Sequence, residues 1–426
     1  MHFIISVRTR NRLYSAKRAS FLLVTIFMFT APAYVVRAQS LEELQQEAAE
    51  KNHNLKAQYH RFEAAVQRAE GSGVLPDPNF TFGYFISPIE TRVGPQQARF
   101  SLVQQFPWFG KLKSERNAAA LEAESLHEAF QDARKRLFVE VAQAYFNLWM
   151  TTENIAVQQE NIKLLQSLKK TAETNFSNER ASMADVLRLE IILQDAEAAL
   201  SVLTKKRKAD LRVLNQIIHR DADTEVIPQL NEPGEDYETA QSHEKHPSIL
   251  AIQKRKQAAE AKEAAAVKSG LPNIAVGLDY ALVGKRPNMP DLADNGKNII
   301  MPMVSLSLPI YRKRIKSAVK EQQLLAQSYD EEEKARVYQL GSDREQAQYE
   351  LHKSRTYVEL YENQKNKTRR VLQLLVSKYS TKGSDYQDLL EVQRELLRYE
   401  QLEIEARANY RTQIQKLRYI NSTYSK

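Results

Sequence analysis

The hydrophobic pattern changes period several times along the chain, and then the same order of changes begins again. From about Leu41 to Glu70 the spacing is helical, and Gly71-Ser72-Gly73 and Pro76-Asp77-Pro78 end it. Over residues 79–87 the period falls to two. Phe80, Phe82, Tyr84 and Ile86 share one face, and Thr81, Gly83, Phe85 and Ser87 share the other, which predicts a strand. Pro88, Gly94 and Pro95 make residues 88–96 a predicted loop. A second strand follows over 97–106, with Ala98, Phe100 and Leu102 set against Arg99, Ser101 and Val103.

Residues 111–177 contain neither proline nor glycine. A helix of that length is about 100 Å long, more than a single globular domain houses. After a break near residues 177–182 a second long helix is predicted over 183–219. Pro228, Pro233 and Gly234 mark residues 221–238 as a linker.

The order then repeats. A helix is predicted from about 237 to 268 and a strand over 273–283. That strand places Ile274, Val276, Leu278 and Tyr280 on one face. A fourth strand covers 299–308. Long helices follow over 312–379 and 385–419, joined by a turn at 380–384 and trailed by residues 421–426. Particular residues answer one another at a separation near 200: Leu75-Pro76 and Leu271-Pro272, Pro107 and Pro309, Asp185-Val186-Leu187 and Asp388-Leu389-Leu390. The expected organisation is thus two repeats, 39–220 and 239–420, each helix–strand–strand–helix–helix. The fold class is mainly α with a small β part.

The helices carry stripes at spacing seven. Val392, Tyr399 and Ala406 form one in the last helix and Leu390, Leu397 and Ile404 another; Val141, Leu148, Ile155 and Ile162 form one in the first long helix. A sustained heptad marks a coiled-coil seam, and two adjacent seams mark a helix with a neighbour on each side. Four strands of about ten residues cannot close a barrel, yet their edges need partners. Ten tilted residues suit the thickness of an outer membrane. Several chains are therefore expected to pool their hairpins, with Phe80, Phe82, Tyr84, Ile86, Ile274, Val276, Leu278 and Tyr280 toward lipid.

Composition agrees. Glycine is scarce, at 12 residues, and charged residues make up 27%, which fits long helices with few connections. Residues 1–38 are expected to be an export signal. They combine a basic leader, an apolar run from Phe21 to about Val36, and small residues before Gln39. Those residues carry six of the cations and no acid, so their removal lowers the formal charge from +8 to +2. The basic balance gives no reason to expect nucleic acid. Cysteine is absent, and no phosphate loop, nucleophile elbow or metal motif is present, so no catalytic residue, cofactor or metal is expected. His243 and His246 stand three apart near a helix start without the carboxylates of a metal site.

In these features the chain resembles the TolC family of outer-membrane efflux proteins. The duplicated layout carries the resemblance, with Phe106-Pro107-Trp108-Phe109-Gly110-Lys111 leading from strand to helix and Tyr379 nine residues before Asp388-Leu389-Leu390. The strand exit is similar to that of members accompanying heavy-metal or cation pumps. The resemblance implies a homotrimer with a twelve-stranded β-barrel in the outer membrane and a long helical tunnel in the periplasm. It implies a passive exit duct of a tripartite efflux or type I secretion system, served by a periplasmic adaptor and an inner-membrane pump. It also implies an acidic constriction at Asp388 and Glu391, with Tyr379 in a closing network. At the turn, Lys382 and Ser384 depart from the family's usual glycine and arginine. A periplasmic adaptor would need compact β-rich domains around one hairpin, and an exported coiled-coil structural protein would not need alternating strands.

Overall fold

The computed structural model describes residues 39–230, 246–291, 293–382 and 386–422. The leader expected over 1–38, the later part of the expected linker, His243, and Gly383 and Ser384 of the turn lie outside the described residues.

The first helical segment is two helices, α1 (Leu41–Lys51) and α2 (His53–Gly71). Ser40 and Glu43 form a capping box at the start of α1. The chain then breaks at Asn52, which ends α1 and caps α2 by accepting from the Leu55 N–H at 3.0 Å. The Asn52 amide also donates to the Ile217 carbonyl. The strands are β1 (Asn79–Thr91), β2 (Gly94–Phe106), β3 (Asn273–Val283) and β4 (Ile299–Ser307). The long helices are α3 (Lys111–Ser177), α4 (Met183–Ile218), α6 (Arg312–Lys382) and α7 (Tyr386–Ile420), with α5 (Pro247–Ser269) preceding β3.

The predicted loop over 88–96 is instead the continuation of β1 and β2 to a two-residue turn, Arg92-Val93, because Thr91 pairs with Gly94. A register shift between Tyr84 and Ile89 accommodates Pro88, as expected of proline in an edge strand. Gly94 has φ +129°, and a Cβ there would lie 2.0 Å from the Gly284 carbonyl oxygen. Glycine is required at that position.

The strands form one antiparallel sheet in the order β1-β2-β3-β4. Two larger apolar cores and a smaller one around Ala347, Leu417 and Ile420 hold the helices. One gathers Leu44, Tyr145, Leu148, Trp149, Leu214 and Ile218 near α1. The other gathers Leu165, Leu168, Leu189, Tyr379, Tyr386 and Leu389 near the end of the long helices. Of the heptad positions, Val141, Leu148 and Ile162 in α3 and Leu390, Ile404 and Ala406 in α7 are buried.

Candidate channel wall and aperture

The cross-strand register sorts the sheet into two faces. Phe82, Phe100, Tyr280 and Ile300 stand in one row, and Phe80, Leu102, Leu278 and Pro302 in the next. Phe100 packs against Phe82 and Tyr280, with ring centroids 5.1 and 6.5 Å away. This face is open: Phe82 is 57% exposed, Ile86 92% and Val304 77%. Phe80, Tyr84, Val276 and Leu278 are exposed beside them, while Ile274 and Tyr280 are half-buried. An apolar surface that extends across four strands is not stable against water.

The opposite face carries Thr81, Ser101, Asp279, Arg99 and Ser305. Arg99 forms an ion pair with the buried Asp279 carboxylate. The sheet therefore has one oily and one partly polar side, and among the described residues β1 and β4 each have an unpaired edge. Among the described residues, no helix is long and apolar enough to cross a membrane.

At the far end of the helices, α3 turns into α4 across residues 178–182, where Ser182 and Asp185 form a capping box. Tyr386 donates from its hydroxyl to the Asp185 carbonyl at 2.8 Å and lies 5.7 Å, ring to ring, from Tyr379. Burial first, then the Asp185 carboxylate, pushes the Tyr386 hydroxyl pKa up to about 12. Tyr379 is fully buried, and the Asn175 amide donates to its main-chain carbonyl at 3.2 Å. Among the described residues the Tyr379 hydroxyl has no partner in hydrogen-bonding geometry. Burial and Asp185 raise its pKa, against a smaller opposing effect of the nearby Asn175 amide.

Asp388 and Glu391 are both exposed on the first turns of α7. The structure thus places Tyr379 inside the tip and the two acids on its surface. Asn175, Asp185 and Tyr386 complete the tip contacts; Asp185 is marked in the sequence by its place in the repeat, whereas the pairing of all three is not, because their partners lie about 200 residues away.

A second polar cluster joins four helices midway. Tyr419 donates to Asp132 at 2.8 Å and accepts from Arg136 at 3.0 Å and Arg336 at 2.9 Å. Arg336 also donates to the Ser248 hydroxyl, which donates to His246 Nδ1. His246 caps α5 through the same nitrogen, accepting from the Ser248 N–H. Burial, then the Arg336 and Lys135 cations, hold its imidazole near pKa 3. Among the described residues, no group of three or more His, Asp or Glu side chains could hold a metal ion.

A duplicated strand pair and long-helix pair, an oily sheet face and two open edges define a channel-wall subunit. The family profile described as Outer membrane efflux protein matches residues 44–218 and 240–420, and the chain belongs to that family. It is a subunit of an outer-membrane channel of efflux systems, with its helical part in the periplasm. The family and fold are those of channels rather than enzymes.

The fold is similar to that of VceC from Vibrio cholerae, with TM-score 0.73 and 15% identity over 89% of this chain and 95% of that one. CmeC of Campylobacter jejuni gives 0.73 and 15%, over 89% and 85%. The open-state MtrE channel of Neisseria gonorrhoeae gives 0.69 and 18%, over 89% and 88%. A sequence search of curated proteins finds no match.

Proposed function

We propose that three copies of this chain close one twelve-stranded barrel and one hollow helical tunnel. Each copy then supplies two repeats, 39–220 and 239–420, joined by 221–238 and ending in a short tail, after loss of residues 1–38 on export. The observation that carries this reading is the four-stranded sheet with two free edges and a continuous exposed apolar face. A lone sheet of this kind would aggregate through its edges in water. Closure with neighbouring copies pairs β4 of one chain with β1 of the next and turns the oily faces toward lipid.

The assembly is a passive duct that receives substrates from an inner-membrane pump through a periplasmic adaptor. Its aperture is the end of α3, α4, α6 and α7, where three copies of Asp388 and Glu391 form an acidic ring. Tyr379, with Asn175 and Tyr386, holds the α6–α7 hairpin against the α3–α4 hairpin. Six like charges in a narrow opening attract cations and repel each other.

The reading is tested on purified protein in planar bilayers, with its mass measured in parallel. A trimer that conducts agrees with it. A monodisperse, water-soluble monomer without conductance rejects it.

A further inference from the structure

We propose that the start of α6 is a docking site for the anionic phosphodiester headgroups of glycerophospholipids in the inner leaflet of the outer membrane. This rests on the channel reading above, which sets the sheet in that membrane.

The apolar face of β4 does not stop where the strand ends. Leu306, Leu308 and Ile310 are 57%, 59% and 70% exposed, and Tyr311 is 85% exposed. Apolar surface followed by an exposed aromatic ring is the sequence of environments at a membrane–water interface. Cations come next. Arg312, Lys313, Lys316 and Lys320 line a shallow groove with Ser317, Glu321 and Leu324, so that four cations face one carboxylate.

All four cations are exposed, and none makes an ion pair or side-chain hydrogen bond with a described residue. The equivalent place in the first repeat differs in part, since Lys113 and Arg116 are exposed there too but the first cation has a partner. There Lys111 meets Glu115 at 3.9 Å, and Lys268 donates to Ser114 and the Gly110 carbonyl.

The placement is also unfavourable for the helix alone. The amino end of a helix is its positive pole, and acids there are stabilising while cations are destabilising. The helices that begin at the far tip, α4 and α7, follow this rule with Asp185 and Asp388. α6 opens on Arg312, Lys313, Arg314 and Lys316 with no acid in its first turn, and α3, which also leaves the sheet, opens on Lys111 and Lys113 with none. An external anion removes that penalty. The cationic side chains reach a phosphate plane while their stems lie along the apolar surface. Zwitterionic lipid offers a weaker match, because its own ammonium competes with them.

The test places the full-length trimer in nanodiscs of phosphatidylethanolamine and phosphatidylglycerol in equal amounts and counts the lipids that stay bound after release into the gas phase. Enrichment of phosphatidylglycerol is expected. The Arg312→Gln, Lys313→Gln, Lys316→Gln, Lys320→Gln variant should lose it, by about fivefold for each cation that touches lipid. The Lys316→Gln, Lys320→Gln variant gives a partial loss and covers the case in which the quadruple variant does not fold.

Equal retention of both lipids by the parent, or unchanged retention in both variants, overturns the proposal. A change in anion conductance with unchanged lipid retention also overturns it and places the cations in the lumen. A protein that forms no conducting trimer rejects the channel reading instead.

Discussion

The Asn175 side-chain amide donates to the main-chain carbonyl of Tyr379 across 3.2 Å, joining α3 of the first repeat to α6 of the second at the tip. Tyr379 is the fourth residue from the end of α6, so its carbonyl is one of those a helix cannot pair internally. The second tie, from the Tyr386 hydroxyl to the Asp185 carbonyl, also uses a main-chain acceptor across the repeats. The tip is therefore held by backbone geometry as well as by apolar packing of Leu168, Leu189 and Leu389.

Asn175→Leu leaves the Tyr379 carbonyl unpaired in a buried setting, at a cost of about 1–3 kcal/mol. Tyr386→Phe removes the other tie and keeps the ring, at a cost of about 1 kcal/mol. Both should raise the open fraction of single channels in planar bilayers, and the double variant should raise it more than either. Closed-channel statistics identical to the parent in the double variant would remove the tip network from the account.

The acidic pair makes a separate prediction. Asp388→Ala with Glu391→Ala should weaken block by divalent and trivalent cations and lower the preference for cations over anions. Reversal potentials under a salt gradient measure this directly. An unchanged reversal potential would place both acids on a solvated outer surface.

The His246 cluster predicts acid sensitivity of a stated sign. Its imidazole is held near 3 against an ordinary 6.5, so between those values the unfolded chain binds a proton that the folded chain does not. Stability from this group is therefore full above about pH 6.5 and declines as the pH falls toward 3. The expected loss is on the order of a few kcal/mol over that window. Asp132, Arg136, Arg336 and Tyr419 surround the ring, and the Nδ1 lone pair accepts from Ser248. His246→Asn keeps a capping acceptor and should flatten the fall in melting temperature between pH 7 and pH 4. An equally steep fall in the variant assigns the acid sensitivity to other groups.

The two faces of the sheet predict opposite responses to the same charge. Leu278→Arg lies near the middle of the oily face and should cost about 2–4 kcal/mol of barrel stability. Ser305→Arg lies on the other face and should leave stability near the parent value while altering conductance. Urea unfolding in lipid vesicles distinguishes them, and similar losses in both would show that the face assignment is wrong.

Much of this architecture is legible in residue order. The two-residue alternation of Phe80, Phe82, Tyr84 and Ile86 gives the oily face of β1. The lack of proline and glycine over 111–177 gives α3. Other features depend on partners distant in sequence. The break at Asn52 has no glycine or proline to announce it and depends on the Ile217 carbonyl. Pro88 and Pro95 read as strand breakers, yet the register shift after Tyr84 accommodates one, and the other stands second in its strand. Tyr379 and the acids 388 and 391 are legible through a family resemblance. Asp185 is visible as the repeat counterpart of Asp388, but its contact with Tyr386 and that of Asn175 with Tyr379 are not, since no local spacing brings residues of the two repeats together.

The central claim is that free edges of neighbouring chains pair and that the ring closes at three. The absence of cysteine allows a direct measurement. Thr81→Cys in β1 is combined in turn with Met303→Cys, Ser305→Cys or Ser307→Cys in β4, and the membrane-embedded protein is oxidised. Within one chain these positions lie on opposite outer strands of the sheet and cannot meet. At least one pair should cross-link into a ladder that ends at three chains. Monomer alone in every pair, or a ladder that continues past three, would contradict the shared barrel.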